Sequence, residues 1–526
     1  MSAILNSGMV DVGMRIWPLL SGPDTGDRVV SWRDGRAVCV PEFLADVERI
    51  AQRLPTHGRA INLCEGRYAF LAGFCAAASR GHCTLLPSAR TLQAIADVRA
   101  NWSDTYLLGD DGCLAGFADL IRIPTLGEHV DMPVSVVPEL DRDAIAAIGF
   151  TSGSTGQPKP NTKSWRNFAV GSALNNTAIR ASIGVTENAM LHIVATVPSQ
   201  HMYGMEMAVL LPLFGAYSVH SSRPFFAADI AAALTEVPEP RILVSTPVHL
   251  RNLLAEPVSL PPLAAIICAT APLGAELATH IEARCSAPLI ELFGSTETCV
   301  IAHRRTAREA DWRLHAGVCL QPQPDGTLVH AEHLGQAVVL QDLLETTAQG
   351  GFRLCGRNTD LLEIAGKRAS LADLTRRLQG LDGVLDAVVF QLDGCATTDV
   401  KRIAALVVAP ARTERDLLAE LRQAVDPVFL PRPLRLVGAL PRNEAGKLPR
   451  GNLKAMAQRG TRSVAPRRCC TPRSFTLRTT PSVSKGSFSR ASAWASMKRQ
   501  TASRSPVAWE GMRPKPQASS PSMAAA

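Results

Sequence analysis

Short apolar runs alternate with stretches of helical periodicity along the chain up to about residue 356. The apolar runs predict strands at 146–150, 191–197, 217–220, 241–245, 264–268 and 289–293. Helical patterns separate many of these runs, and two further helices are predicted at 46–54 and 91–100. This alternation predicts an α/β protein with a large N-terminal domain, whose sheets are largely parallel and flanked by helices.

The pattern changes to smaller units after residue 356. Ser370 and Asp373 form a capping box that predicts a helix to about Leu381, and Thr413 with Asp416 begins a second helix to about 425. Apolar runs predict strands at 384–390, 402–408 and 434–439. The pattern favours a small C-terminal α+β domain that is joined to the large domain by a hinge.

The length and the charge distribution predict three regions. A chain of 526 residues corresponds to about three domain equivalents. We assign 1–356 to the large domain, 357–455 to the small mobile domain and 456–526 to a tail. From 461 onward the tail holds 12 of the 55 basic residues but one of the 47 acidic ones, so the rest of the chain is mildly acidic. We therefore expect the body to bind no nucleic acid.

The tail is rich in Ser, Arg, Pro, Thr and Ala, and this composition predicts disorder. One alternative is a basic arm for nucleic acid, although no aromatic residues alternate with the charges. Another is a GC-rich coding region that is translated in the wrong frame.

Composition also restricts the cellular setting. No apolar run approaches the ~18 residues of a membrane span, and the N-terminus lacks a basic segment before an apolar one. We therefore expect a cytoplasmic protein with reduced thiols. The 13 cysteines show no metal-ligand spacing, and we expect each of them to be a small buried apolar residue.

The first candidate motif follows the strand at 146–150 and is rich in hydroxyls and glycines. Glycines let backbone N–H groups approach an anion, hydroxyls add donors and a lysine adds positive charge, so a polyphosphate is the expected ligand. The spacing fits neither a Walker A loop nor a nucleophile elbow, and a Ser- and Gly-rich surface loop is the alternative. Its candidate binding residues are Thr151, Ser152, Gly153, Ser154, Thr155, Gly156 and Lys159.

The second motif, Phe293-Gly294-Ser295-Thr296-Glu297, ends the strand at 289–293. Ligands of open α/β sheets bind at the carboxyl ends of strands, and a carboxylate there suits Mg²⁺. Phe293 is placed to stack on a base. The alternative is an ordinary strand end at which Thr296 caps a helix.

Two further motifs lie in the C-terminal part. Gly356, Arg357 and Asp360, followed by 366–368, predict a hinge that also contacts nucleotide, with a solvated linker as the alternative. Lys447 lies in a loop at 440–450 that is bounded by Pro and contains Gly, so it is placed to reach into another site. A basic surface turn is the alternative for that loop.

The order and spacing of the four motifs resemble the AMP-forming adenylating superfamily, which comprises acyl- and aryl-CoA synthetases, adenylation domains of peptide synthetases and beetle luciferases. The resemblance covers roughly 28–455. It is greatest to the compact aryl acid ligases of aryl polyene and xanthomonadin-type pigment pathways. Departures from the family pattern include Pro160 after the loop lysine, Phe293 in place of Tyr or Trp, and Gln341 before Asp342.

The resemblance implies a role for each motif. The hydroxyl-rich loop would hold the ATP phosphates, Thr296 would face phosphate, and Glu297 would bind Mg²⁺. Asp342 would bind the ribose, and the small domain would rotate about Asp360. The remaining assignments are the catalytic Lys447 and His201, which lies in a Pro-x-x-His-x-x-Gly pattern and borders the acyl pocket.

The implied reaction converts a carboxylic acid and ATP into acyl-AMP and pyrophosphate, and then transfers the acyl group to the thiol of CoA or of an acyl carrier protein's phosphopantetheine. Pocket walls near His201, 245–249 and 268–273 are mid-sized and of mixed polarity, which favours an aryl acid such as a hydroxybenzoate. Alternatives are a fatty acyl ligase, a luciferase-type monooxygenase, a non-catalytic adenylate-binding protein and a nucleic-acid binder through the tail.

Overall fold

The computed structural model describes residues 15–23, 27–87, 89–112, 117, 119–124, 126, 136–152, 158–323, 326–357, 361–364, 367–392, 402–443 and 448–458. All of these residues belong to one compact unit, which spans 1–461. The tail from 459 onward lies outside the described residues, so the expectations about it stay predictions.

The described strands are distributed along the whole unit. In chain order they are β1 (Ile16–Pro18), β2 (Val29–Arg33), β3 (Arg36–Cys39), β4 (Arg59–Asn62), β5 (Thr84–Leu86), β6 (Thr105–Gly109), β7 (Leu120–Arg122), β8 (Glu139–Asp141), β9 (Ile145–Ser152), β10 (Pro158–Ser164), β11 (Leu191–Ala195), β12 (Tyr217–His220), β13 (Arg241–Ser245), β14 (Ala265–Cys268), β15 (Leu289–Ser295), β16 (Cys299–Arg304), β17 (Arg313–Leu314), β18 (Cys319–Gln323), β19 (Gly326–His330), β20 (Val338–Leu340), β21 (Asp342–Thr346), β22 (Phe352–Arg357), β23 (Leu361–Ile364), β24 (Lys367–Ser370), β25 (Asp386–Leu392), β26 (Arg402–Val408) and β27 (Leu434–Leu436).

The described helices alternate with many of these strands. They are α1 (Val40–Ala51), α2 (Arg67–Ser79), α3 (Leu92–Asn101), α4 (Trp165–Ile183), α5 (Met202–Met205), α6 (Leu211–Phe214), α7 (Ala227–Thr235), α8 (Pro247–Ala255), α9 (Ala275–Cys285), α10 (Leu371–Gln379), α11 (Glu414–Ala424) and α12 (Arg450–Gln458). A π-helical turn at Glu206–Leu210 joins α5 to α6. In the described part of the chain, no helix combines the length and the apolar character needed to cross a membrane.

The principal sheet, here called the large sheet, has the strand order β17-β16-β15-β14-β13-β11-β12-β2-β3. Its centre is parallel from β15 to β2, and the strands at both edges are antiparallel. Strands β13 and β14 are continuous apolar runs because helices and loops bury both faces of a parallel sheet.

A second sheet, here called the N-terminal sheet, has the order β10-β9-β5-β4-β6-β7. Its strands are parallel except for β10, which turns back along β9. Residues of α1, α2, α4 and both sheets share one buried apolar cluster, so the two sheets are packed into a common core.

The C-terminal part has an apolar cluster of its own. Helices α10 and α11 pack on the sheet β25-β26-β27 through a core that includes Leu374, Leu378, Leu417 and Leu421. The predicted fold class is therefore confirmed: a large α/β domain with largely parallel sheets precedes a small α+β domain. The bounds at 356 and 455 stay predictions.

Several predicted elements match the structure closely, and the differences have local causes. Strands β12, β13 and β26 have the predicted bounds. Helix α1 begins at Val40 rather than at 46, because Pro41 in its first turn is compatible with a helix start. Cys319 and Cys355 are exposed, so the expectation that every cysteine is buried is wrong for these two.

Candidate active site

The site residues follow strands that end at one edge of the large sheet. Because β11, β13, β14 and β15 run parallel, their carboxyl ends share that edge. The segments that follow them contain His201, 245–249, 268–273 and Glu297. Such an edge is where open α/β sheets bind ligands.

Residues Thr296, Glu297 and Thr298 form a tight turn between β15 and β16, here called the acidic turn. A Cβ atom at Gly294 would lie 2.1 Å from the carbonyl oxygen of Cys299, so only glycine fits there. Inside the turn the backbone N–H of Ser295 donates to Thr298 Oγ1 (3.1 Å), and that of Thr298 donates to Ser295 Oγ (3.2 Å). The alternative of a helix capped by Thr296 is wrong, because the chain reverses directly into β16.

Buried side chains hold the acidic turn from the interior. Lys163 on β10 donates from Nζ to the carbonyl oxygen of Glu297 (2.5 Å), and His333 donates from Nε2 to that of Thr298 (2.9 Å). Glu206 Oε2 accepts from the backbone N–H of Val300 (3.1 Å). Burial raises the pKa of Glu206 to about 7.

A second support, Asn175 on α4, donates from Nδ2 to the same oxygen of Glu206 (3.1 Å). Sequence reasoning did not identify Lys163, Glu206 or Asn175 as part of the site. The one available signal was a lysine in β10, four residues after the loop lysine.

The acidic turn touches the strand that leads into the hydroxyl-rich loop. A Cβ atom at Gly149 on β9 would lie 2.8 Å from Thr296 Cγ2, so the side chain of Thr296 packs against the backbone of β9. Thr151 pairs with Lys159 across β9 and β10, and Asn161 Nδ2 donates to Thr151 Oγ1 (3.4 Å). The structure thus places Thr151 near Thr296.

The rest of the hydroxyl-rich motif is less fully described. Lys159 is exposed on β10, and β9 ends at Ser152. Gly153, Ser154, Thr155 and Gly156 lie outside the described residues, so their assignment to phosphate stays a prediction.

Phe293 is half-buried on β15 and belongs to an aromatic cluster. Its ring centroid lies 5.3 Å from that of Trp312 and 5.4 Å from that of Phe352 on β22. These contacts fix the ring and link β15 to the pair β21–β22. That the Phe293 ring stacks on the base of a nucleotide stays a prediction.

Asp342 and Arg357 are directly opposite each other on the antiparallel strands β21 and β22. Asp342 is half-exposed, and Thr327 Oγ1 donates to its carbonyl oxygen (2.9 Å). The residue assigned to the ribose, Asp342, and a residue of the hinge motif, Arg357, are therefore neighbours across two paired strands. Asp360 and Lys447 lie outside the described residues, and their roles stay predictions.

His201 is half-exposed and immediately precedes α5. A Cβ atom at Gly204 would lie 2.0 Å from the carbonyl oxygen of Pro198, which explains the Pro-x-x-His-x-x-Gly pattern as a close backbone contact. We call residues 195–201 the acid-side loop.

The acid-side loop is held by Arg67, a fully buried residue in the first turn of α2. Its Nη2 donates to the carbonyl oxygens of Ala195 (2.8 Å) and Val197 (2.9 Å), and its Nη1 donates to Ser199 Oγ (3.1 Å). Burial lowers the pKa of Arg67 to about 9. Sequence reasoning missed this residue, whose only signal is a charge in an apolar helix.

A polar cluster lies at the carboxyl ends of β11 and β13, where the acid pocket is predicted. His249 Nδ1 is 3.0 Å from the hydroxyls of both Thr196 and Thr246. Burial lowers the pKa of His249 to about 4, so the imidazole is neutral at pH 7. The edge of the exposed Phe225 ring packs on His249, with 5.1 Å between centroids.

Comparisons with known proteins connect this α/β fold to a class of nucleotide-dependent enzymes. A family model described as AMP-binding enzyme matches residues 76–329. The chain is 28% identical over 306 residues to a 4-coumarate–CoA ligase of Cereibacter sphaeroides, which is 57% of this chain and 69% of the relative.

Solved structures show the same fold. O-succinylbenzoate CoA synthetase from Bacillus subtilis, solved with ATP and a magnesium ion, matches with a TM-score of 0.67 at 18% identity, over 82% of this chain and 97% of that one. The anthranilate CoA ligase AuaEII, solved with anthranoyl-AMP, matches with a TM-score of 0.66 at 15% identity, over 84% and 98%.

The chain is thus similar to AMP-binding enzymes over residues 76–329 and to CoA ligases over a longer stretch. The predicted enzyme class, an AMP-forming ligase of an acid and a thiol, is confirmed. The resemblance to the pigment-pathway aryl ligases stays a prediction.

Proposed function

We propose that this protein uses ATP to activate an aryl carboxylic acid as its acyl-AMP and then transfers the acyl group to a thiol. The observation that carries the proposal is the contact between Thr296 of the acidic turn and Gly149 of β9. This contact brings the carboxylate-bearing turn of one sheet next to the strand of another sheet that leads into the hydroxyl-rich loop.

The chemistry requires two anions to meet. The carboxylate oxygen attacks the α-phosphorus of ATP, a new P–O bond forms, and pyrophosphate leaves with the electrons of the broken bond. A thiol then attacks the acyl carbon and AMP leaves. Charge neutralisation and positioning therefore carry the catalysis.

The site residues fit these needs. Thr151, Lys159 and Thr296 would orient the phosphates, Asp342 would accept hydrogen bonds from the ribose, and Lys447 would bridge the substrate carboxylate and the α-phosphate. Glu297 is half-exposed beside these hydroxyls, so its oxygens fit a hard cation. Mg²⁺ bound there would neutralise phosphate charge.

The acid and the acceptor are supported by the relatives. The matched proteins include CoA ligases of three aryl acids, which are 4-coumarate, o-succinylbenzoate and anthranilate. They also include an acetyl-CoA synthetase and a sulfoacetate–CoA ligase. The mixed polarity around His249 suits a ring that carries a hydroxyl. CoA and a carrier protein's phosphopantetheine present the same thiol, and we retain both acceptors for the test.

The finer assignment to aryl polyene or xanthomonadin-type pigment ligases is also our proposal. It rests on the departures from the common family pattern, such as Pro160 and Phe293.

Pyrophosphate exchange into ATP, measured with benzoic, hydroxybenzoic, cinnamic and fatty acids, tests the proposed function. We expect exchange that depends on a hydroxylated aryl acid and on Mg²⁺. Exchange with fatty acids alone would replace the aryl assignment, and ATP binding without exchange for any acid would indicate a non-catalytic adenylate binder. Product assays with CoA and with a phosphopantetheinylated carrier protein then identify the acceptor.

Lys447→Ala should lower acyl-AMP formation by about 10²–10³-fold, because the positive charge that would neutralise the two reacting anions is lost. Thioester formation from supplied acyl-AMP should remain within about twofold of wild type. Lys454→Ala, on the following helix, is the matched control. Wild-type pyrophosphate exchange in Lys447→Ala would show that another residue has this role.

A further inference from the structure

Lys163 is buried although it is a lysine, with 4% of its surface exposed. It lies on the same face of β10 as Lys159 and Asn161, because side chains alternate along a strand. The three residues therefore form a polar row directed from the hydroxyl-rich loop toward the interior. Lys159 at the loop end is exposed, whereas Lys163 reaches the acidic turn.

The ammonium group of Lys163 faces a specific set of groups. It donates to the backbone carbonyl oxygen of Glu297, whose own carboxylate is the candidate Mg²⁺ ligand. The charged or titratable groups that interact with it are the carboxylate of Glu206, the thiol of Cys299 and the imidazole of His333. Glu206 is therefore an acidic group in the electrostatic surroundings of Lys163.

Lys163 holds the middle of the turn, and Glu206 holds the strand β16 that follows it. Lys163 binds the carbonyl of Glu297, and Glu206 binds the N–H of Val300 three residues later. Removing a lysine charge from water is costly, and a well-packed apolar residue often stabilises a core as well as buried charged groups do. Stability alone therefore does not explain the buried lysine, whereas a requirement for a defined turn geometry does.

We infer that Lys163, together with Glu206, is a positioning residue that sets the acidic turn against the β9–β10 hairpin and thereby tunes the binding of MgATP. The inference rests on the proposed function, since it assigns ATP and Mg²⁺ to this site. Lys163 belongs to the hairpin of one sheet and its acceptor belongs to the turn of the other, so this hydrogen bond joins them in addition to the packing of Thr296 on Gly149. It acts through Glu297 and Thr296.

Lys163→Met tests this role because it keeps the length and the apolar stem but removes the donors and the charge. We expect about tenfold weaker MgATP binding by calorimetry and a similarly higher Mg²⁺ concentration for half-maximal pyrophosphate exchange. The KM for the acid should stay within about twofold, and so should thioester formation from supplied acyl-AMP. Lys163→Arg should restore part of the affinity.

The matched control is Phe43→Leu, in the buried core beside Tyr68, which lowers the melting temperature without touching the turn. If Lys163→Met binds MgATP within twofold of wild type, the inference is overturned. The same holds if Phe43→Leu weakens MgATP binding as much at an equal loss of melting temperature.

Two further outcomes separate this inference from the proposed function. If wild type binds MgATP but exchanges pyrophosphate with no acid, the proposed function fails, and weaker binding in Lys163→Met still supports the positioning role. If wild type does not bind MgATP, both fail. If Lys163→Met does not fold, Glu206→Gln replaces it, and unchanged MgATP binding in that variant overturns the inference.

Discussion

The acidic turn and the acid-side loop follow parallel strands of the same sheet, yet buried cations hold them in different ways. The turn is held by Lys163, and the buried carboxyl group of Glu206 holds the start of the next strand. The loop is held by Arg67, whose recorded hydrogen bonds in the described part of the chain all go to neutral oxygens. Lys163 binds the carbonyl of Glu297, which is itself a predicted site residue, and Arg67 binds carbonyls a few residues before His201.

This difference shows that a segment at a sheet edge can be fixed either by a cation and a carboxyl group that bind separate backbone groups or by one cation alone. Burial disfavours the charge of Arg67, as its lowered pKa indicates, and carbonyl dipoles offset that cost. The interactions that position the acidic turn include a carboxyl group, Glu206, whose pKa is raised to about 7. The interactions of Arg67 with the acid-side loop include no such group. The two regions should therefore respond differently to mutation and to pH.

A matched pair of glycine substitutions should give the largest effects. In Gly294→Ala the new methyl group would meet the Cys299 carbonyl at 2.1 Å, and in Gly204→Ala it would meet the Pro198 carbonyl at 2.0 Å. Each backbone must shift, which costs roughly 1–3 kcal/mol of stability. We expect Gly294→Ala to raise the KM for MgATP and Gly204→Ala to raise the KM for the acid, each by about 100-fold.

Steady-state pyrophosphate exchange measures both constants. Gly274→Ala is the control, because no atom lies within 4 Å of its new methyl group. If both active-site variants change the same constant, the division between an ATP side and an acid side is wrong.

Arg67→Met should have the next largest effect. It leaves the carbonyls of Ala195 and Val197 without their donor, which costs about 1–3 kcal/mol for each unsatisfied group. We expect the KM for the acid to rise about tenfold while the KM for MgATP stays within about twofold. Arg166→Met removes an arginine from a surface ion pair with Glu332 and serves as the control. An unchanged acid KM in a folded Arg67→Met would contradict the assigned role.

The smallest expected effect is a change in the pH dependence of stability. Because burial raises the pKa of Glu206 from 4.5 to about 7, the folded protein retains a proton that the unfolded chain releases within this window. Stability should therefore fall as the pH rises from 4.5 to 7, by up to about 3 kcal/mol from this group. Glu206→Gln should remove that part of the slope.

Urea unfolding at pH 5, 6, 7 and 8 measures the slope. Arg67→Met should change the stability by a similar amount across this range, since the pKa of Arg67 remains at about 9. Parallel pH profiles for wild type and Glu206→Gln would show that Glu206 does not titrate in this window.

Sequence patterns predicted the elements whose information is local. The apolar runs gave β12, β13 and β26 their bounds, and the motif at 293–297 indicated its place at a strand end. Lys163 and Arg67 were missed because their partners are backbone carbonyls more than a hundred residues away. Every residue has a backbone carbonyl, so the residue types in the sequence do not show which carbonyl accepts a hydrogen bond from a buried cation.

The sequence left a helix cap at Thr296 open as an alternative for a related reason. A hydroxyl after a strand is equally compatible with a helix start and with a reversing turn. Only the close approach of Gly294 to Cys299, together with the left-handed backbone of Cys299, selects the turn.

The large sheet is discontinuous along the chain, and this has a consequence for biosynthesis. The hairpin β2–β3 is translated first, the whole N-terminal sheet follows, and β2 meets its parallel neighbour β12 only when residues 217–220 have left the ribosome. Until then the nascent hairpin has an unpaired edge, which is prone to aggregation. We therefore expect vectorial synthesis to delay closure of the large domain, and truncated translation products to depend on chaperones.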